Sequence, residues 1–245
     1  MHRRILLSAM GSNSNINLEI EGSLSGITTS SQLANFLGVS VSKIRSFTNT
    51  GSLIRASIRG NYPIPATQFN GNTSMTKLRD IGGIIGSIGI NGLRNTALTQ
   101  LVLPRLETTL NAAIGYNMNL LDIDLPNLSS YGNQALRGNS VTKTIKMPQL
   151  EKISEGTIAT NALQGLASLE LLDMKKLKVY GTPAGQNSAT NSGFSGLKPG
   201  CIINVNIALA TANAGTVNTA FLYAKNTLAA IVNFYDDSGN FISTL

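Results

Sequence analysis

Gln100-Leu101-Val102-Leu103-Pro104-Arg105-Leu106 is answered further along the chain by Asp122-Ile123-Asp124-Leu125-Pro126-Asn127-Leu128. The same interval beyond that stands Thr144-Ile145-Lys146-Met147-Pro148-Gln149-Leu150, so that the prolines recur at Pro104, Pro126 and Pro148. A fourth copy, without proline, carries Leu169, Leu172, Met174 and Leu177. Each copy sets two apolar residues two positions apart. That alternation predicts a short strand with those side chains inward and their neighbours outward. A fixed period in the twenties marks a solenoid, whose units cannot bury an apolar face alone and bury it against the next unit.

The register extends outward from these copies. Strand centres fall at Ala56, Leu78, Leu101, Ile123, Ile145, Leu172 and Ile203. The interval is nearly constant as far as Ile145, lengthens to Leu172 and lengthens again to Ile203. Nine positions before each centre lie Phe47, Phe69, Gly92, Ile114, Leu136, Leu163 and Phe194, an apolar column broken only by Gly92. Six positions before four successive centres lie Asn72, Asn95, Asn117 and Asn139. A buried turn leaves backbone groups that need partners, and a stacked asparagine supplies both donors and an acceptor. The two longest intervals place insertions near residues 154–161 and at 181–193.

The flanks read as caps. Arg4–Ala9 and Asn15–Glu21 are expected strands, the second alternating Ile16, Leu18 and Ile20 with polar residues. Residues 28–38 predict a helix with a Thr29 or Ser30 cap, Leu33, Phe36 and Leu37 on one side, and a Gly38 stop. Residues 215–230 predict a second helix. Beyond it, Ile231–Tyr235 and Phe241–Ser243 form a hairpin across Asp236–Asn240. The aspartates there lack the spacing and closing glutamate of an EF-hand, so they read as a turn. The layout is thus a cap at 1–44, a solenoid at 45–210 and a cap at 211–245. The start of the chain imitates a signal peptide, but its apolar run falls short of the roughly 7–15 residues such a segment needs. A mature chain that keeps Met1 is the expectation.

Composition narrows the chemistry. The net charge is +7, yet only 13% of residues are charged and 5% aromatic, which disfavours a nucleic-acid groove. One cysteine, Cys201, forbids an intrachain disulfide, and with one histidine, His2, a conventional zinc site is out of reach. No motif calls for a cofactor. In the glycine run at 82–89, lysine and Ser/Thr are not placed as a phosphate loop requires. Asp122 and Asp124 share one side of a strand, but paired carboxylates need a cleft to act as acid and base. A non-enzymatic protein is therefore expected. Its contact surface is the outward strand side, bearing Arg55, Lys77, Arg79, Gln100, Asp122, Asp124, Lys146 and Asp173. This mixture of signs suits specific contact better than phosphate tracking.

Two coils, Ala135-Leu136/Asn139/Ile145/Met147-Pro148/Leu150/Ile153 and Ala113-Ile114/Asn117/Leu120/Ile123/Leu125-Pro126/Leu128/Tyr131, carry a resemblance. They resemble the leucine-rich repeats of the bacterial surface-antigen (BspA-like) type, over about residues 45–206. The resemblance implies an α/β, β-dominated, right-handed solenoid of about seven short parallel strands, one per strand centre. It also implies interaction, since similar repeats occur in adhesins, receptor-binding parts and bacteriophage structural proteins. The expectation is a phage virion component, namely a tail, fibre or capsid-decoration protein. Its partners would be other virion proteins or further copies of itself, together with a host-surface protein or glycan, and no transmembrane segment is foreseen. The alternative is a bacterial cell-surface adhesin or secreted binding protein.

Overall fold

A computed structural model describes residues 15–153, 163–180, 193–211 and 218–245. The expected strand at Arg4–Ala9 and both insertions lie outside these residues, apart from Gly193. The chain opens with β1 (Leu18–Gly22), α1 (Ser30–Leu37), β2 (Ile44–Asn49) and β3 (Leu53–Ile58). Helix α1 starts at the expected cap. The Thr29 hydroxyl accepts from the Gln32 N–H, and the Gln32 side chain accepts from the Thr29 N–H. It stops at Gly38, whose φ of 68° is the left-handed state that glycine adopts without a Cβ clash.

The solenoid follows: β4 (Met75–Asp80), β5 (Ser87–Ile88), β6 (Gln100–Val102), β7 (Thr108–Thr109), β8 (Asp122–Asp124), β9 (Thr144–Lys146), β10 (Lys152–Ile153), β11 (Leu171–Met174), β12 (Val179–Tyr180) and β13 (Ile202–Asn206). The chain ends with α2 (Thr219–Leu228), β14 (Ile231–Tyr235) and β15 (Phe241–Thr244). The architecture is a β-dominated solenoid of about 5 turns with few helices.

Each coil has three walls. On the strand wall, β8, β9, β11, β13 and β14 pair in parallel, as do β4 and β6. Register sets Leu78 beside Leu101, Ile123 beside Ile145, and Leu172 between Ile145 and Ile203. The second wall is a run of short ladders, β5 with β7 and β10 with β12, joined by isolated bridges such as Tyr131 to Ile153. The third wall is a stack of turns. There the Ile114 N–H donates to the Ala135 carbonyl (2.8 Å) and the Tyr116 N–H to the Arg137 carbonyl (2.8 Å). Backbone groups in the turns are therefore satisfied by the neighbouring coil, as burial requires. Between the walls lie Leu120, Leu125, Leu150, Leu166 and their equivalents, fully or almost fully buried. Each such side chain contributes about 1.5–3 kcal/mol on burial.

The structure corrects the sequence reading at three places. Ala56 is expected to centre the first parallel strand, stacked directly on the Leu78 strand. Instead β3 pairs antiparallel with β2 on one side and β1 on the other, and β1 pairs antiparallel with β4. The apolar pattern of Leu18 and Ile20, both fully buried, fits that central position on the sheet. Gly92 is expected in the apolar turn column. Leu93, fully buried, holds the place, because its N–H donates to the Ala113 carbonyl as that of Ile114 does to Ala135. For the same reason Thr96, not Asn95, belongs with Asn117 and Asn139. The run from that turn to the strand centre is one residue shorter than in the next two coils, Leu93 to Leu101 against Ile114 to Ile123 and Leu136 to Ile145, which displaces the column by one.

The C-terminal expectations are met with an addition. Helix α2 packs Phe221 against Tyr180 and Phe194, with ring centroids 5.5 and 5.2 Å apart. Strand β14 begins the expected hairpin with β15 and also continues the parallel stack, placing Val232 beside Ile203. The hairpin turn is held by Asp236. Its carboxylate accepts from the Ser238 N–H (2.9 Å), the Asn240 N–H (2.8 Å) and the Asn240 amide (3.0 Å).

Candidate contact surface

Strand pleating turns the side chains between core residues outward. All the sequence-predicted positions, Arg55, Lys77, Arg79, Gln100, Asp122, Asp124, Lys146 and Asp173, are on strands of this wall. They do not behave as one array. At the N-terminal end the basic residues are engaged. Glu19 of β1 takes Arg55 at 2.8 Å and Arg79 at 3.5 Å, and Glu21 takes Lys77 at 2.6 Å. The Lys77 ammonium holds the Glu21 carboxyl below its usual range. Gln100 accepts two bonds from the Arg79 guanidinium, at 3.0 and 2.8 Å. Sequence reasoning misses these two glutamates as surface residues because it assigns β1 to the cap. Their alternation with Leu18 and Ile20 gives the right side but not the neighbour.

Past β6 the surface changes. Asp122, Asp124 and Lys146 are exposed, and register sets Lys146 between Asp124 and Asp173. From Asp173 a polar row runs across the sheet. The Asn204 amide donates to Asp173 (3.3 Å), that of Asn233 to Asn204 (3.2 Å), and the Thr244 hydroxyl to Asn233 (2.8 Å). Beside it runs an apolar row, Leu171, Ile202 and Ile231, the last two 37% and 45% exposed. This row is hidden in the sequence, because the expected parallel stack stops short of β14.

Buried polar groups serve the fold. The Asp80 carboxylate, 1% exposed, accepts from the Ile84 and Ile85 N–H groups, each at 2.8 Å. Two buried carboxylate bonds close that loop, which explains an acid in an apolar column. Burial pushes the Cys201 thiol up to about 12, so it is protonated and inert at neutral pH. A recess of about 420 Å³ near the start of β1 is lined by Arg45, Arg105 and Asn61 among others, and its described lining residues include no carboxylate, histidine or cysteine. Among the described residues no cluster of metal-binding side chains occurs, and no helix is long and apolar enough to cross a membrane. Comparison of the chain with family models, with curated proteins and with solved structures returned no match.

Proposed function

We propose that this chain is a non-enzymatic structural and interaction protein, a component of a phage particle of the tail, fibre or decoration kind. Its coils are leucine-rich repeats of the surface-antigen type, and its strand wall packs against another protein of the particle. The observation that carries this reading is the pair of rows on β11, β13 and β14. An apolar row of Leu171, Ile202 and Ile231 runs beside a hydrogen-bonded row of Asp173, Asn204 and Asn233. An apolar stripe rimmed by fixed polar groups is the usual composition of a protein contact. The low charge and abundant Asn, Ser and Thr of the chain agree with a surface built for contact rather than turnover.

The test is native mass spectrometry with peptide mapping of purified particles. The reading expects the chain in fixed copy number within the particle, and Ile202→Glu to abolish incorporation while leaving the urea midpoint unchanged. A chain recovered only free from cells, or incorporated equally well with Ile202→Glu, contradicts it.

A further inference from the structure

The turn wall has a character of its own. Its described segments, 66–71, 90–96, 111–117, 133–139, 163–166 and 193–197, contain no aspartate or glutamate. They contain two arginines, Arg94 and Arg137, on either side of one tyrosine. The Arg94 guanidinium carbon lies 4.7 Å from the centre of the Tyr116 ring, and that of Arg137 lies 6.0 Å from it. Neither guanidinium has a carboxylate partner among the described residues, in contrast to Arg55 and Arg79 on the strand wall. Two sets of planar donors are thus fixed on a ring with their hydrogen-bonding edges uncommitted.

Tyr116 is itself out of place. Backbone bonds align it with Gly71, Asn95, Gly138 and Gly165, because each of these N–H groups donates to the residue preceding the next in the column. Every one has positive φ. Glycine and asparagine accept that state readily; a tyrosine at φ 61° is strained by its Cβ. Strain retained at a surface position points to a role for the side chain. Beyond Tyr116 the column continues as Gly138, Gly165 and Gly196. A Cβ at Gly165 would stand 3.4 Å from the Gly138 Cα, so the backbone forms a bare shelf starting at the ring. Gln164 and Ser195 continue the row that holds Arg137.

We propose that this shelf binds an acidic polysaccharide, with Arg94 and Arg137 holding its carboxylate or sulfate groups. Its sugar hydroxyls lie along the glycine shelf toward Gln164 and Ser195. Two fixed guanidiniums match one or two anionic groups, and the Ser195 hydroxyl matches a sugar hydroxyl. A nucleic-acid strand would need a longer basic row and free aromatic faces; here one tyrosine is already flanked by arginines. The site is on a different wall from the proposed protein contact, so the two readings fail separately.

The test is titration of the full chain with fluorescent dextran sulfate and with polygalacturonate at physiological ionic strength, where the Debye length is about 8 Å. Neutral dextran, polyglutamate and single-stranded DNA serve as comparison probes. The proposal expects binding of both acidic glycans and weak binding of the three comparison probes. Arg94→Gln combined with Arg137→Gln should cut glycan affinity about tenfold or more, the scale of losing charged hydrogen bonds. Arg59→Gln, just past β3, should leave it unchanged. Tyr116→Asn, the residue the preceding coil carries, should weaken binding with the urea midpoint retained. Equal binding of polyglutamate or DNA overturns the glycan assignment. Insensitivity to the arginine variants, or loss of the midpoint along with binding in Tyr116→Asn, overturns the site.

Discussion

From β8 to β14 the strands of this wall lie side by side in chain order, each beside the strand of the next coil. At the other end, β1 comes between β3 and β4, although Ala56 and Leu78 look like consecutive repeat centres. The same spacing of apolar residues thus gives two different arrangements. The turns beside them differ in what their asparagine side chains bond. In the ordered half, Asn117 and Asn139 are fully buried and tie one coil to the next. Asn117 accepts from the Thr96 N–H (2.8 Å) and donates to the Leu93 and Ile114 carbonyls (2.9 and 2.7 Å), while Asn139 accepts from the Asn117 N–H (2.7 Å). At the start, Asn72 is only half-buried and bonds its own turn, accepting from the Ser74 and Met75 N–H groups. The Asn117 and Asn139 side chains bridge coils, whereas the Asn72 side chain stays within its own turn, although β4 still pairs in parallel with β6.

Removing each asparagine should have the largest effect. Asn117→Ala leaves the buried Thr96 N–H and Leu93 carbonyl without their partner and the Ile114 carbonyl with only the Asn139 amide, so a loss of about 3 kcal/mol is expected. Asn72→Ala loses a half-buried local turn and should cost about 1 kcal/mol. Urea denaturation of the two variants reads the difference; equal costs would remove the distinction.

Alkaline pH sharpens it next. Burial raises the thiol of Cys201 from its usual 9.0 to about 12 and raises the phenols of Tyr131 and Tyr180 well above their ordinary value. The folded chain keeps these protons while the unfolded chain releases them. Stability is therefore full below about pH 9 and falls as pH rises through 9 toward 12. One unit above 9.0 the thiol alone removes about 1.4 kcal/mol. Urea midpoints at pH 8 and pH 10 should show that fall, and Cys201→Ala should show less of it.

The smallest effect belongs to the ion pairs over β1. Glu19→Gln weakens bridges to Arg55 and Arg79 whose arginines are partly exposed. About 0.5–1 kcal/mol is expected, shrinking with added salt. A salt-independent loss would mean that Glu19 acts by packing instead.

The ordered half is legible in the sequence because its signal is local and repeated. Ile123, Ile145 and Leu172 recur in register, and the strands follow. The Thr29 cap, the Gly38 stop and the Asp236 turn are legible for the same reason, since each depends on neighbours close by in the chain. The rest is not. The pairing of Leu18 with both Ala56 and Asp80 is a choice between distant partners that share one apolar pattern. The one-residue shift that puts Leu93 and Thr96 into the turn column shows only when the coils are stacked. Three of the eight expected contact residues, Arg55, Lys77 and Arg79, are already engaged by Glu19 and Glu21. The Arg94–Tyr116–Arg137 group joins three coils, and its members stand too far apart in the chain to be read as a cluster.

The insertion of β1 is where the account is most exposed. It can be tested by disulfide formation in a Cys201→Ser background, since neighbouring strands bring Cα atoms within the reach of a disulfide. Glu19→Cys with Arg79→Cys joins register partners on β1 and β4, and should oxidise to an intramolecular bond in the monomer. Arg55→Cys with Lys77→Cys, adjacent only if the first coils stack in chain order, should remain reduced. The reverse result, with the second pair bonded and the first free, would contradict the inserted strand and restore an unbroken stack from Ala56 onward.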